Sequence, residues 1–197
     1  MIPRHLVIAM AVLLVAVLGL GIYALHMRKT AAATPVAATD TRPLAPPIAG
    51  PTERVTLFVA HDGDGTLRAE AARIPLPSGR QQRAEELLRA LVSLYVDKSS
   101  SPHQLGSGAE VRNVFLVDPG VAVIDLNSAF ADTHRSGVLV EELTVTSLIH
   151  TISANTPGVL KVKILVDGKD RVTLAGHADL SSYYDVTAVN QLATQLQ

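Results

Sequence analysis

Val159-Leu-Lys-Val-Lys-Ile-Leu-Val-Asp-Gly168 is the stretch on which the reading of this chain turns. Val162, Ile164 and Val166 share one face at period two, and Lys161 and Lys163 share the other. Leu165 interrupts the polar face, which predicts that this face is partly covered as well. Pro157-Gly158 precedes the strand and stops a helix, because proline has a fixed φ and no N–H. Asp167-Gly168 follows it and supplies the positive φ values of a tight turn. Arg171–Leu174 alternates again and is expected to pair back antiparallel.

Working backward, Val138–Asn155 reads as the helix that feeds this strand, with Val145, Leu148, Ile149 and Ile152 inward. Glu141 and Glu142 in its first turn complement the helix dipole. Val111–Val117 and Val121–Leu126 read as a hairpin around Asp118-Pro119-Gly120. Asn127–Ser136 reads as irregular. Ser78 and Gln81 have capping-box spacing at the head of another helix. Ala84, Leu87, Leu88, Leu91, Leu94 and Tyr95 form its inner face, and Glu85 and Arg89 an i,i+4 pair. Val55–Ala60 and Leu67–Leu76 read as two strands around the turn cluster His61-Asp62-Gly63-Asp64-Gly65, the second near a sheet edge. Leu180–Val186 reads as a last extended piece. The order ββα-ββα-ββ predicts an α+β fold, a mainly antiparallel sheet with two helices packed on one face.

The N-terminal residues read differently. Leu6–Leu25 holds no charged residue, and 20 helical residues span roughly 30 Å, the thickness of a bilayer core. A cleaved signal peptide would have an apolar region of only ~7–15 residues, so residues 1–30 read as an uncleaved membrane anchor. Residues 31–53, rich in Ala, Pro and Thr, read as an extended linker. Residues 54–186 then form the domain and 187–197 a polar C-terminal tail, open to a frayed helix. Arg4 on one side and Arg28 and Lys29 on the other leave the orientation of the span nearly undecided by charge.

The 197 residues carry a net charge of −1, and from Glu53 onward there are 13 Lys+Arg against 17 Asp+Glu. With no basic cluster, a nucleic-acid partner is not expected. The absence of cysteine excludes disulfides, thiolate nucleophiles and thiolate metal sites.

The candidate chemical motifs fall short one by one. Asp62-Gly63-Asp64-Gly65 resembles the start of a calcium loop, but positions six and twelve hold Leu67 and Arg73 where an EF-hand needs Gly and Glu. His61, His103, His134, His150 and His177 are scattered without metal-ligand spacing. Gly106-Ser107-Gly108 is too short for a nucleophile elbow. Asp118, Asp125 and Asp132 could serve a wall-polysaccharide hydrolase, but turn and strand-end roles explain them more simply. No catalytic, cofactor-binding or metal residue is assigned, and no cofactor is expected.

Three stretches taken together resemble one family. Asp118-Pro-Gly-Val-Ala-Val-Ile-Asp-Leu-Asn-Ser-Ala-Phe130, Pro157-Gly-Val-Leu-Lys-Val-Lys-Ile-Leu-Val-Asp-Gly168 and Gly176-His-Ala-Asp-Leu-Ser181 are similar to the GerMN domain of sporulation and spore germination. The helix over Gln81–Val96 sits where that family carries one, while Val96–Gly106 departs from the family's short Gly-Pro turn. The resemblance implies an extracytoplasmic α+β domain without known catalytic residues, found also in bacteria that make no spores. Some members resemble ring-building modules of secretion-type assemblies. It tips the orientation toward a single-pass protein of the cytoplasmic membrane with its C-terminal domain outside. The function expected is then a non-enzymatic interaction or assembly module, with envelope proteins or a second copy as partner. The alternatives are an envelope hydrolase or a sensor of wall ligands.

Overall fold

The computed structural model describes residues 50–96 and 101–197. The anchor expected over Leu6–Leu25 and most of the linker lie outside the described residues. Among those described, no helix is long and apolar enough to cross a membrane.

The strand that opens the sequence analysis is β5, Lys161–Val166, and it lies inside a four-stranded sheet. Its neighbours are β4, Val121–Leu126, and β6, Tyr184–Asp185, with β3, Val111–Val117, at the far edge. The β3/β4 and β5/β6 pairs are antiparallel, but β4 and β5 are parallel, Ile124 opposite Ile164. A parallel pair needs a crossover, and the connection supplies one. It contains α2, Ser128–Asp132, capped by Asn127, and α3, Val138–Asn155. The expected irregular stretch therefore holds a short helix, started where the Asn127 side chain accepts the Phe130 N–H.

The first two strands form a separate sheet. β1, Thr52–His61, pairs antiparallel with β2, Thr66–Pro75. β1 begins at Thr52, so Glu53 belongs to the domain, and its carboxylate is paired to Arg83 at 2.6 Å. The single mainly antiparallel sheet expected from sequence is thus two sheets, one of which contains a parallel pair. The reason lies on the outer edge of β1, where helix side chains stand in place of a third strand. Asn155 Nδ2 donates to Thr56 O at 2.7 Å, and Thr151 Oγ1 accepts the Phe58 N–H at 3.0 Å. Ser147 Oγ donates to Phe58 O at 2.6 Å. Tyr95 OH accepts the Ala60 N–H at 2.8 Å and donates on to Ser147 Oγ at 2.7 Å. Ser147 and Thr151, one helical turn apart, take the carbonyl and the N–H of Phe58, and Asn155 one turn further on reaches back to Thr56.

Tyr95 belongs to α1, Arg80–Val96. Its head is tied by Ser78, whose backbone N–H and Oγ both reach Gln82 Oε1, one residue beyond the Gln81 expected from spacing. The inner face is Ala84, Leu87, Leu88, Leu91, Val92 and Tyr95, with Leu94 only partly buried. These residues share one core with Val114, Ile124 and Ile164 of the larger sheet and Leu143, Leu148 and Ile152 of α3.

After β5 the structure departs from the expected hairpin. Arg171–Leu174 does not pair with β5; beyond the Val166–Lys169 bridge, that edge of β5 is taken by β6. The intervening loop is held toward α3 instead, by a carboxylate described below. The last residues are also more than a tail: α4, Val186–Gln195, starts at the Asp185 cap and buries Val189 and Ala193. Asn190 Oδ1 meets His150 Nδ1 of α3 at 2.7 Å.

Candidate functional site

Two features stand out: a buried polar cluster at the N-terminal half of α3, and an open groove beside it.

The cluster centres on Thr144. Its Oγ1 lies 2.8 Å from His103 Nε2, 2.7 Å from His134 Nε2 and 2.9 Å from Val140 O. His103 Nδ1 meets Asp62 Oδ1 at 2.7 Å, and Asp62 Oδ2 meets Arg135 at 3.1 Å. His134 Nδ1 donates to its neighbour's carbonyl, Arg135 O, at 2.8 Å. These partners fix the tautomers of the neutral rings: each Nδ1 carries the hydrogen, so both Nε2 atoms and the Val140 carbonyl compete for the one hydroxyl hydrogen of Thr144. Burial pulls both imidazoles below their ordinary pKa, opposed at His103 by the Asp62 carboxylate and at His134 by the Arg135 carbonyl.

Asp62–His103–Thr144 has the connectivity of a nucleophile-activating relay. However, Thr144 and His103 have no exposed surface, so no substrate atom reaches Oγ1 in this conformation. The cluster ties the loop after α1 and the loop before α3 to the β1–β2 turn.

One turn away, Glu141 is fully buried. Its Oε2 accepts the N–H groups of Ala175, His177 and Ala178 at 2.9–3.0 Å. Its Oε1 accepts the Gly137 N–H at 3.1 Å and faces His177 Nδ1 at 2.9 Å. Burial alone would raise its pKa; these donors override that and hold it down to about 2. This carboxylate fixes the 175–178 loop on α3, which is why that segment does not continue the sheet.

The same loop forms one rim of the groove. A cleft of about 320 Å³ runs between α3 and α4, walled by Val138, Val145, Ala188, Val189, Leu192 and Tyr184. Val138 stands at its rim, 66% exposed. Glu142 and His177 are its ionisable lining residues. Clefts of this size with an apolar wall and few polar groups are the usual form of a recognition site.

The acidic residues named from sequence are dispersed. Asp125 is buried, its Oδ1 accepting the Gly168 N–H at 2.7 Å. Asp118 is exposed at the β3–β4 turn, at the opposite end of β4. Asp132 pairs with Arg171 at 2.8 Å. The Asp62–Gly65 cluster forms the β1–β2 turn: Asp64 accepts from Thr66 Oγ1 at 2.7 Å and pairs with Arg68. Among the described residues, no three His, Asp or Glu side chains converge as a metal site would require. Sequence reasoning missed Thr144 and the groove. It gave Glu141 only a dipole role. A signal was present, since Thr144, Ser147, Thr151 and Asn155 recur at helical spacing on an apolar helix.

The fold is an α+β domain of two sheets around a shared apolar core, with polar side chains of α3 bonded to the edge of β1. Residues 56–172 match the family model Germane, described as sporulation and spore germination, and the chain belongs to that family. The matched span contains the first two of the three stretches that carry the GerMN resemblance, 118–130 and 157–168. A crystal structure named as a lipoprotein from Clostridium perfringens is similar at 21% identity and TM-score 0.46, over 70% of this chain and 89% of that one. The tandem GerMN domains of the Bacillus subtilis sporulation protein GerM are similar at 18% identity and TM-score 0.49, over 67% of this chain and 45% of that one. The first of those domains alone is similar at 20% identity and TM-score 0.46, over 66% of this chain and 94% of that one. No curated protein matches the chain.

Proposed function

We propose that this chain is a membrane-tethered, extracytoplasmic domain of the bacterial cell envelope that acts by docking onto other proteins. The observation that carries the reading is the open apolar groove between α3 and α4. Leaving such a surface in water forgoes about 25 cal/mol for each Å² of apolar area, which a docked partner would recover. Membership of the Germane family supports an envelope role in sporulation or germination. The uncharged run Leu6–Leu25 and the Pro-rich stretch after it support tethering to the cytoplasmic membrane.

Two measurements test this. A reporter that works only outside the cytoplasm, fused after Thr30, is expected to be active; activity of a cytoplasm-only reporter at that point contradicts the topology. Protein extracted gently from the envelope is expected to run well above its 20.8 kDa chain mass. A strict monomer with no associated protein contradicts docking.

A further inference from the structure

The groove contains one charge that the fold leaves unanswered. Glu141 and Glu142 are adjacent in sequence but differently used. Glu141 is buried and receives its donors from the 175–178 loop and Gly137. Glu142 is half-buried in the groove wall, and it makes no hydrogen bond or ion pair with any described residue. Two of its neighbours in the groove are committed elsewhere: Tyr184 OH donates to Asp179 O at 2.6 Å, and His177 Nδ1 is engaged by Glu141. The field there is negative. Tyr184 is pushed up to about 12, by burial first and then by the charges of Asp179, Glu141 and Glu142. A carboxylate partly withdrawn from water beside apolar side chains favours a cation that arrives with its own apolar body.

We propose that the groove between α3 and α4 receives a segment of a partner protein that presents an aliphatic side chain next to a lysine or arginine, the aliphatic chain lying against Val145, Val189 and Leu192 and the cation pairing with Glu142. This rests on the docking reading above and adds the chemistry of what docks. The volume, about 320 Å³, suits one or two side chains. The apolar wall includes Val138, 66% exposed, which a small cation would leave uncovered but a protein segment covers. The domain's excess of acidic residues favours a basic partner from a distance as well.

The test is photocrosslinking of the full chain in native envelopes, with a benzophenone amino acid at Val138 on the groove rim and, separately, at Val117, an exposed residue of β3 at the opposite edge of the larger sheet from β6. The expected adduct at Val138 is a peptide of another protein carrying Lys or Arg within about one helical turn of the crosslinked residue. Glu142→Gln, which keeps the shape and removes the charge, is expected to lower its yield about tenfold, and Glu142→Lys further, in line with loss of one partner of a close charge pair. Changing the mapped basic residue to Glu is expected to restore the yield in the Glu142→Lys chain. Ala188→Phe, which fills the groove from an exposed position, is expected to abolish it. The proposal is overturned by an adduct to lipid or to a second copy of this chain, by a peptide without a basic residue, or by a yield indifferent to Glu142→Gln. Protein adducts from Val117 but not Val138 overturn this inference and leave the docking reading standing; no protein adduct from either position overturns both.

Discussion

Thr151 Oγ1 accepts the backbone N–H of Phe58 at 3.0 Å, so a helix side chain performs at the edge of β1 the task of a neighbouring strand. Thr151→Val keeps the volume and removes the acceptor. It is expected to destabilise the fold by about 1–3 kcal/mol, the cost of a buried donor left unpaired. Thr151→Ser retains the oxygen and is expected to cost less. Denaturant midpoints of the three chains check the order. Ser147→Ala is expected to cost at least as much as Thr151→Val, because its hydroxyl serves both Phe58 O and Tyr95 OH.

The Glu141 carboxylate makes a prediction in acid. Its folded pKa of about 2 lies below its ordinary value of 4.5, so the folded state holds the proton less tightly than the unfolded one. Its contribution is fully present above pH 4.5 and is lost as pH falls through about 2, a change of about 3 kcal/mol. Glu141→Gln is expected to remove that acid dependence. It also turns an NH₂ group toward N–H donors of the loop. Hydrogen exchange at Ala175, His177 and Ala178 is expected to accelerate in this variant, ahead of global unfolding.

The histidine pair acts at higher pH. His103 and His134 are both held below their ordinary value of 6.5, chiefly by burial. An unfolded chain therefore takes up protons first, and stability is present above pH 6.5 and declines as pH falls through the lower folded values. The groups facing the pair are Asp62, Arg135 and Glu141. Replacing both rings, His103→Gln with His134→Gln, is expected to flatten the slope just below pH 6.5 while leaving the deeper acid loss due to Glu141. Unfolding free energy measured from pH 8 to pH 3 separates the two windows.

Gly106 is required for a steric reason. A Cβ built there would fall 2.0 Å from Thr133 Oγ1 and 2.3 Å from Thr133 Cβ, where α2 ends. Gly106→Ala is expected to cost more than about 2 kcal/mol, whereas Gly79→Ala, with nothing within 4 Å, is expected to be nearly neutral. Adding Thr133→Ala to Gly106→Ala is expected to recover only part of the loss, because the Cβ–Cβ conflict remains. Thermal midpoints of the three variants check this.

Elements whose periodicity was strong were legible in sequence. The Val138–Asn155 helix and the hairpin strands Val111–Val117 and Val121–Leu126 fall where apolar spacing and turn residues put them. The GerMN resemblance rested on Asp118–Phe130, Pro157–Gly168 and Gly176–Ser181, and the family match over residues 56–172 confirms it. What failed was pairing. Alternation in Arg171–Leu174 marked extended chain but carried no information about its partner, and the Glu141 carboxylate decided that from 34 residues away. The separation of β1–β2 from the larger sheet was equally hidden, because it rests on Ser147, Thr151 and Asn155 bonding strand backbone. In sequence such residues look like ordinary polar positions on a helix. The groove depends on α4, and α4 on Asp185, whose side chain accepts the Thr187 and Ala188 N–H groups to start a helix from a stretch that reads as a polar tail.

The docking account is tested most directly by the mass of the complex formed by the full chain extracted from its own envelope, compared with the Ala188→Phe chain. Ala188 is exposed and lines the groove, so the substitution fills the cleft without entering the core. The account predicts a mass well above 20.8 kDa for the unaltered chain and a return to the single-chain mass for Ala188→Phe. An unaltered chain already at the single-chain mass, or an Ala188→Phe chain that keeps its full complex, would contradict it.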